Sequence, residues 1–416
     1  MFRLSNLIYL YFIALAFAPI VSFLDYETVN QGFYKIYGAT LLIISFALLL
    51  SRGVNKSKID ILILAAAAVY FYYLAWDIVL NQGTLYRKGF VFDFFVNPYL
   101  HTICLIYVVD NYTVPKSLVK ILINIFKGTV ILAAGVSTIQ FLHDSFFFTP
   151  DEIIAYTRQM GSFGNDFEIR RMSIFGYLGM LDVSLSFLPI LGVLTAYYAL
   201  EKKKIPYGYL VLGFIVVFAN NSRYAQLGYF ITWLPMLVLS KNKWRMLGTS
   251  LLIAPIAVGL FVLVLNLIGF DVQGYIQERV LADSATTRLL ALEIFNKFFG
   301  RHPWFGSGVH LSNEVIVALA GRSSQIHVGY LAHLYSYGII GSFLVFSFWL
   351  LILKRFYRTA KITAYWGSVV GILVFLWANV TLVTYQILTY GIMMSFLFNK
   401  YYLTKSHDEN NQNYLE

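Results

Sequence analysis

Runs of about twenty apolar residues recur along this 416-residue chain, and they restrict its fold more than any other feature. Crossing about 30 Å of hydrocarbon takes roughly 20 such residues in a helix, because only a helix or a closed barrel satisfies its own backbone there. A sliding window of about 19 residues marks twelve runs. They are Asn6–Leu24, Phe33–Leu50, Ile59–Leu80, Val91–Val109, Leu118–Leu142, Ser173–Leu200, Ile205–Asn220, Tyr224–Ser240, Met246–Phe270, His327–Leu353, Ile362–Val380 and Val383–Leu403. The seventh and eighth could also be one broken helix, since only a short polar turn divides them. With 59% of residues in AVILMFWYC and 12% charged, against about 25% charged in soluble domains, a water-facing surface is excluded. Alternating ten-residue strands, the mark of an outer-membrane barrel, are missing. The expectation is an all-α polytopic membrane protein of about twelve transmembrane helices, with 1–416 a single integral membrane domain.

Charge gives the orientation. With the N-terminus inside, the cytoplasmic connections hold Arg3, then Arg52, Lys56 and Lys58, then Lys116 and Lys120, then Lys202 to Lys204. Lys241, Lys243 and Arg245, then Lys354, Arg355, Arg358 and Lys361, and finally Lys400 and Lys405 continue the series. The short opposite loops carry only Lys35, Arg87 and Lys88, as the positive-inside rule requires of an N-in/C-in chain. The net charge of +10 is therefore a topological signal, and nucleic acid is not expected as a partner. Two external loops are long, 143–172 and 271–326, and a short tail, 404–416, is cytoplasmic. Arg3 followed by an apolar run and Ala16-Phe17-Ala18 imitates a signal peptide, but Pro19 after the cut disfavours cleavage, so the segment is read as the first span.

The polar residues concentrate outside. Arg158, Arg170, Arg171, Arg223, Arg279, Arg288, Arg301 and Arg322 all fall there, with Lys297 the exception. Arg offers a planar fork that fits phosphate or carboxylate, whereas Lys is a point charge. Ordinary ion pairs with acids such as Asp151, Asp166, Asp283 and Glu293 are the plain alternative for any single Arg. Arg223 fits that alternative worst, because Asn220-Asn221-Ser222-Arg223 is a polar turn between apolar spans with no acid beside it. Within the larger loop, Thr287 to Phe295 keeps helical apolar spacing, preceded by Asp283 and Ser284 as N-cap residues. A short helix at the outer membrane surface is expected there. His327 opens the tenth span at the bilayer edge and is placed to act as a base; the plain reading of any lone His is structural. With a single cysteine, Cys104, and no metal-binding His spacing, no metal or other cofactor is expected.

The run Arg288, Phe295 to Phe299, His302-Pro303-Trp304-Phe305-Gly306-Ser307-Gly308, His327-Val328-Gly329-Tyr330-Leu331 and Tyr337-Gly338-Ile339-Ile340-Gly341 resembles the O-antigen ligase and polymerase superfamily. That family carries, after a large external loop, an Arg on a helix, Pro-x-x-Gly-x-Gly, His-x-x-Tyr-Leu and Gly-Ile-Ile-Gly. Ser222-Arg223 is similar to its Ser-Arg element and Arg171 to its upstream Arg. Val328 stands where the family often has Asn.

The resemblance implies a glycosyltransferase on the external face of the bacterial plasma (inner) membrane. Its donor and acceptor would be oligosaccharides linked through pyrophosphate to undecaprenol, presented by the membrane lipid. Arg223 and Arg288 would hold the pyrophosphate with Arg171 as auxiliary, and His327 would be the base, with Glu293 as substitute. Arg170, His310 and Arg322 are further candidates, and Gln325 would orient the imidazole in place of the missing amide. The expected activity is polymerisation of O-antigen or other surface-polysaccharide repeat units, in keeping with 31 Tyr and 36 Phe, with a chain-length regulator protein as a further partner. An O-antigen ligase, which passes the glycan to lipid A–core, shares these features, as does a protein O-glycosyltransferase of the superfamily. A lipid-linked oligosaccharide flippase is the alternative of another class; internal repeats and midplane charges would favour it, but no repeat between the halves is visible and the polar residues concentrate on one face.

Overall fold

The structure, a computed structural model, describes residues 4–17, 43–44, 47–48, 61–80, 98–147, 154, 171, 173–174, 186–240, 263, 265–267, 269, 271–275, 285–307, 326, 328–380 and 390–413. Among the described residues it is all-α. In chain order the helices are α1 (Leu4–Ala16), α2 (Ile61–Leu80), α3 (Pro98–Asn111), α4 (Lys116–Leu142) and α5 (Leu188–Tyr197), which continues as a π-helical turn, Tyr198–Lys202. Then come α6 (Tyr207–Asn220), α7 (Arg223–Ile231), α8 (Leu234–Leu239), the short α9 (Val272–Tyr275), α10 (Ala285–Phe298), α11 (Gly329–Thr363), α12 (Gly367–Ala378) and α13 (Tyr390–Asn413). By length and composition α4 and α11 each suffice to cross a bilayer, and shorter apolar stretches lie in α1, α2, α6, α7 to α8 and α12. The chain is a membrane protein. The second and ninth expected spans fall almost wholly outside the described residues.

The local chemistry of the breaks explains several boundaries. Asn221 ends α6 in the left-handed conformation (φ 58) and Ser222 is extended, so the backbone reverses before α7. Asn tolerates that conformation better than most residues. The Tyr229 hydroxyl near the end of α7 then donates to the Leu210 carbonyl near the start of α6 at 2.8 Å. The pair is an antiparallel hairpin, not one broken helix. The eighth expected span is itself jogged at Thr232-Trp233, before Pro235. The Thr195 hydroxyl donates to the Thr232 carbonyl at 2.8 Å there.

The tenth expected span differs most. It was expected as continuous from His327, yet α11 is interrupted at Gly338 (φ 67, ψ −174). Sixteen residues along a straight helix span about 24 Å, but the rings of His333 and Trp349 are 5.6 Å apart, and Tyr330 and Phe346 meet at 5.6 Å. Residues 329–337 therefore form a short arm folded back along 339–363. Hydropathy averaging cannot register such a reversal, because both arms are apolar. The long arm also runs on to Thr363, past the expected Leu353, and Ala364 (φ 60) turns the chain into α12. At the other terminus α13 continues into the expected tail, to Asn413.

A single large apolar core joins α1 to α8 and α11 to α13, with Trp349, Phe126, Phe187, Phe348, Phe375 and Phe396 fully buried within it. One end of the bundle gathers basic residues and a few acids. Arg355 makes a two-pronged salt bridge with Asp110, one contact at 3.1 Å, and Lys400 donates to the Asp110 carbonyl at 3.2 Å. Lys405 pairs with Glu201 at 2.7 Å. The opposite end holds the polar turn between α6 and α7 and the break at Gly338.

Candidate active site

Arg171 lies buried against the end of α4. Its Nε donates to the Gln140 carbonyl at 3.0 Å, Nη2 to the Ser145 hydroxyl at 3.3 Å, and the guanidinium sits 5.0 Å over the Phe141 ring. The Gln140 side chain braces the same strand of chain: its Oε1 accepts from the Ser173 amide at 2.9 Å and its Nε2 donates to the Phe147 carbonyl at 2.7 Å. The Asn220 amide donates to the Arg171 carbonyl at 3.1 Å. This last bond ties Arg171 to the turn that carries Ser222 and Arg223, the residue pair singled out from sequence.

Ser222 stands at the N-cap of α7 without bonding back to the helix, and its hydroxyl, buried, has no hydrogen-bond partner. The first amides of a helix have no intrahelical acceptor and lie at the positive end of the macrodipole. An unused buried hydroxyl, the positive end of a helix and an arginine at its first position together suit an anionic oxygen. Arg223 opens α7 by its backbone; its side chain lies outside the described residues.

The turn is anchored to the rest of the site through α12. The Trp377 indole donates to the Tyr224 carbonyl at 2.8 Å, and the Tyr330 hydroxyl donates to the neighbouring Leu376 carbonyl at 2.7 Å. Consecutive residues of α12 thus bring the start of α7 and the start of the folded-back arm together. The arm begins about 15 Å inward from the Gly338 break, at the level of Trp349, so the site is recessed below that end of the bundle.

The break itself is where the two glycine motifs meet. The Ile339 and Ile340 amides donate to the Pro303 and Trp304 carbonyls at 2.8 and 3.1 Å, and the Ser307 amide to the Tyr335 carbonyl at 2.9 Å. These bonds replace the helical ladder that Gly338 interrupts. The approach is backbone to backbone: a Cβ on Gly306 would stand 2.5 Å from the Gly338 nitrogen, and one on Gly338 2.5 Å from the Gly306 nitrogen. From α2, the Trp76 indole donates to both the Phe305 and Ser336 carbonyls, at 3.2 and 3.0 Å, and the Tyr72 hydroxyl to the Tyr337 carbonyl at 2.6 Å. Beside this latch α10 packs on the arm through a separate small core of Ala291, Ile294, Phe298, Ile326, Ala332 and Tyr335. The helix expected within the larger loop is therefore present, with its apolar face on the short arm.

Of the residues expected at the site, Arg171 and the Ser222-Arg223 turn converge. Arg288 lies on α10, with its side chain outside the described residues, and Glu293 is exposed on that helix, away from its packed face. His327, Arg170, His310, Arg322 and Gln325 lie outside the described residues. Sequence reasoning did not find Trp76, Tyr72, Gln140, Tyr330 or Trp377, which act through contacts between distant segments. His333 is buried between the arms, 3.4 Å from the Tyr73 hydroxyl. Among the described residues no group of three His, Cys, Asp or Glu gathers to hold a metal.

No curated protein matches the chain in sequence. Residues 208–346 match the family described as O-antigen ligase. That stretch runs from α6 through the polar turn, α10 and the latch to the long arm of α11, and so contains both glycine motifs. Members of the family are glycosyltransferase-like enzymes that act on lipid-linked glycans. The match takes in the Ser222-Arg223 turn, α10 and the latch, and over this part of the chain the protein is similar to the O-antigen ligase family.

Proposed function

We propose that this protein polymerises undecaprenyl-pyrophosphate-linked repeat units of O-antigen or another surface polysaccharide on the external face of the bacterial inner membrane. The observation that carries the reading is the meeting of buried Arg171 with the Ser222-Arg223 turn, whose buried hydroxyl has no hydrogen-bond partner. The chain has twelve spans, N-in and C-in. Support comes from the bundle itself, whose basic end holds Arg355, Lys400 and Lys405 while the turn lies at the other.

In the reaction, a sugar hydroxyl of the acceptor attacks the anomeric carbon of the donor glycan. The bond from that carbon to the pyrophosphate oxygen breaks, and undecaprenyl pyrophosphate leaves with the electron pair. Arg223, Arg288 and Arg171 stabilise the charge developing on that oxygen, where a low dielectric strengthens each contact. His327 takes the hydroxyl proton, Gln325 orients it, and Glu293 is the substitute base. Arg170, His310 and Arg322 are further candidates for substrate contacts, and a chain-length regulator sets how long the product grows.

The second reading, transfer of the finished glycan to lipid A–core, is favoured by the family match over residues 208–346. A reconstituted assay separates the two. Purified protein with only the lipid-linked repeat unit should yield a ladder of lengths. Transfer only when lipid A–core is added, without a ladder, would make it a ligase.

A further inference from the structure

A cavity of about 500 Å³ opens at the basic end of the bundle, between the π-helical turn after α5 and the end of α8. Leu200, Ile205, Met236 and Leu239 give it apolar walls, while Lys203, Lys204 and Ser240 supply the polar lining. The backbone is bent to put the lysines there. The π turn ends at Lys203 in the left-handed conformation (φ 51), and the Lys204 amide bonds back to the Tyr198 carbonyl at 3.2 Å. Left-handed backbone at a non-glycine residue is unfavourable and is kept here at the mouth of a cavity.

Among the described residues neither lysine has a carboxylate partner. Glu201, the acid beside them, is taken by Lys405 at 2.7 Å. Two cations above apolar walls match a ligand with a negative head and a hydrocarbon body. A soluble anion would leave the walls unused. A detergent-like neutral lipid would leave the charges unused. Next to the cavity, α6 presents Tyr207 and Val211 outward, 67% and 60% exposed, a surface on which an acyl chain can continue.

We propose that this cavity binds an anionic phospholipid of the cytoplasmic leaflet, its phosphate between Lys203 and Lys204 and the upper part of its acyl chains against Leu200, Met236 and Leu239. Basic pockets between helices on the cytoplasmic side are suited to such headgroups. The site is at the opposite end of the bundle from the glycan chemistry and does not depend on it.

The test uses the full chain extracted from vesicles of equal phosphatidylglycerol and phosphatidylethanolamine, with retained lipid counted by native mass spectrometry. Wild type should keep phosphatidylglycerol in preference. Each lysine near an anionic surface is worth about fivefold, so Lys203→Gln with Lys204→Gln should lower retention on the order of 25-fold. Leu239→Trp, which fills the cavity and keeps both charges, should lower it as well. Unchanged retention in the lysine variant overturns the proposal. Loss in the lysine variant but not in Leu239→Trp also overturns it, because the lysines would then only gather surface lipid. Displacement by inorganic phosphate as effective as by added phosphatidylglycerol would assign the site to a free anion and overturn the lipid.

Discussion

Replacing Gly338 by Ala should undock the Pro303 to Ser307 segment while the helical bundle stays folded. At φ 67 and ψ −174 the backbone is in a region essentially reserved for glycine, where another residue costs on the order of 1–3 kcal/mol. The added Cβ would also stand 2.5 Å from the Gly306 nitrogen and nearer still to the Trp304 carbonyl oxygen, neither of which is a flexible side chain. Relief requires the two backbones to part. That breaks the bonds from Ile339, Ile340 and Ser307, at about 1 kcal/mol each. The sum, about 4–6 kcal/mol, shifts the docked-to-undocked balance by roughly three to four powers of ten at about 1.4 kcal/mol per tenfold. Hydrogen exchange followed by mass spectrometry should show the amides of Ser307, Ile339 and Ile340 losing protection while those of Lys116–Leu142 keep it, and turnover should fall with them. Unchanged protection at those three amides together with normal turnover would refute the reasoning, since the latch would then not depend on glycine at the break.

Trp76→Phe removes the donor shared by the Phe305 and Ser336 carbonyls and should destabilise the same latch by about 1–3 kcal/mol, read as a lower temperature for loss of protection in the 302–307 segment. Arg223→Lys should not restore function, because a two-pronged phosphate contact needs the guanidinium fork; cells would show a single repeat unit instead of a ladder, and a normal ladder at normal protein level would make Arg223 a charge anchor only. His327→Ala should lower turnover about 10²–10⁴-fold with donor binding preserved in the reconstituted assay. Full activity there, with loss in Glu293→Gln or His310→Ala, would move the base to that residue.

Much of the helical architecture was legible in advance because a membrane span is a local composition signal. The polar turn at Asn220 to Arg223 was legible for the same reason, as an interruption of that signal. The reversal at Gly338 was not, since one glycine between two apolar arms leaves the hydropathy unchanged and only its partners distinguish a reversal from a tolerated helical glycine. Those partners are remote: Trp76 lies 260 residues from Ser336 and Tyr72 lies 265 from Tyr337. Arg171 could be chosen from sequence because it resembles the family's upstream Arg. Its supports, Gln140 and Asn220, could not, because an amide near a span end is unremarkable until the helices are packed. Likewise Asp110 gave no sign that Arg355, 245 residues away, would hold it.

The break in α11 also bears on how the chain is made. As an unbroken helix its 35 residues would extend about 52 Å, well beyond the hydrocarbon, and the insertion machinery meets it as one long apolar stretch. Synthesis runs from the N-terminus, so Tyr72, Trp76 and the Pro303 to Ser307 segment all exist before Gly338 emerges. Every acceptor and donor that replaces the missing helical bonds is already waiting when the reversal must form. The order of the motifs along the chain is thus also an assembly order, and a circularly permuted chain that delivered α11 first would have to hold the bent backbone open in lipid with its polar groups unmet.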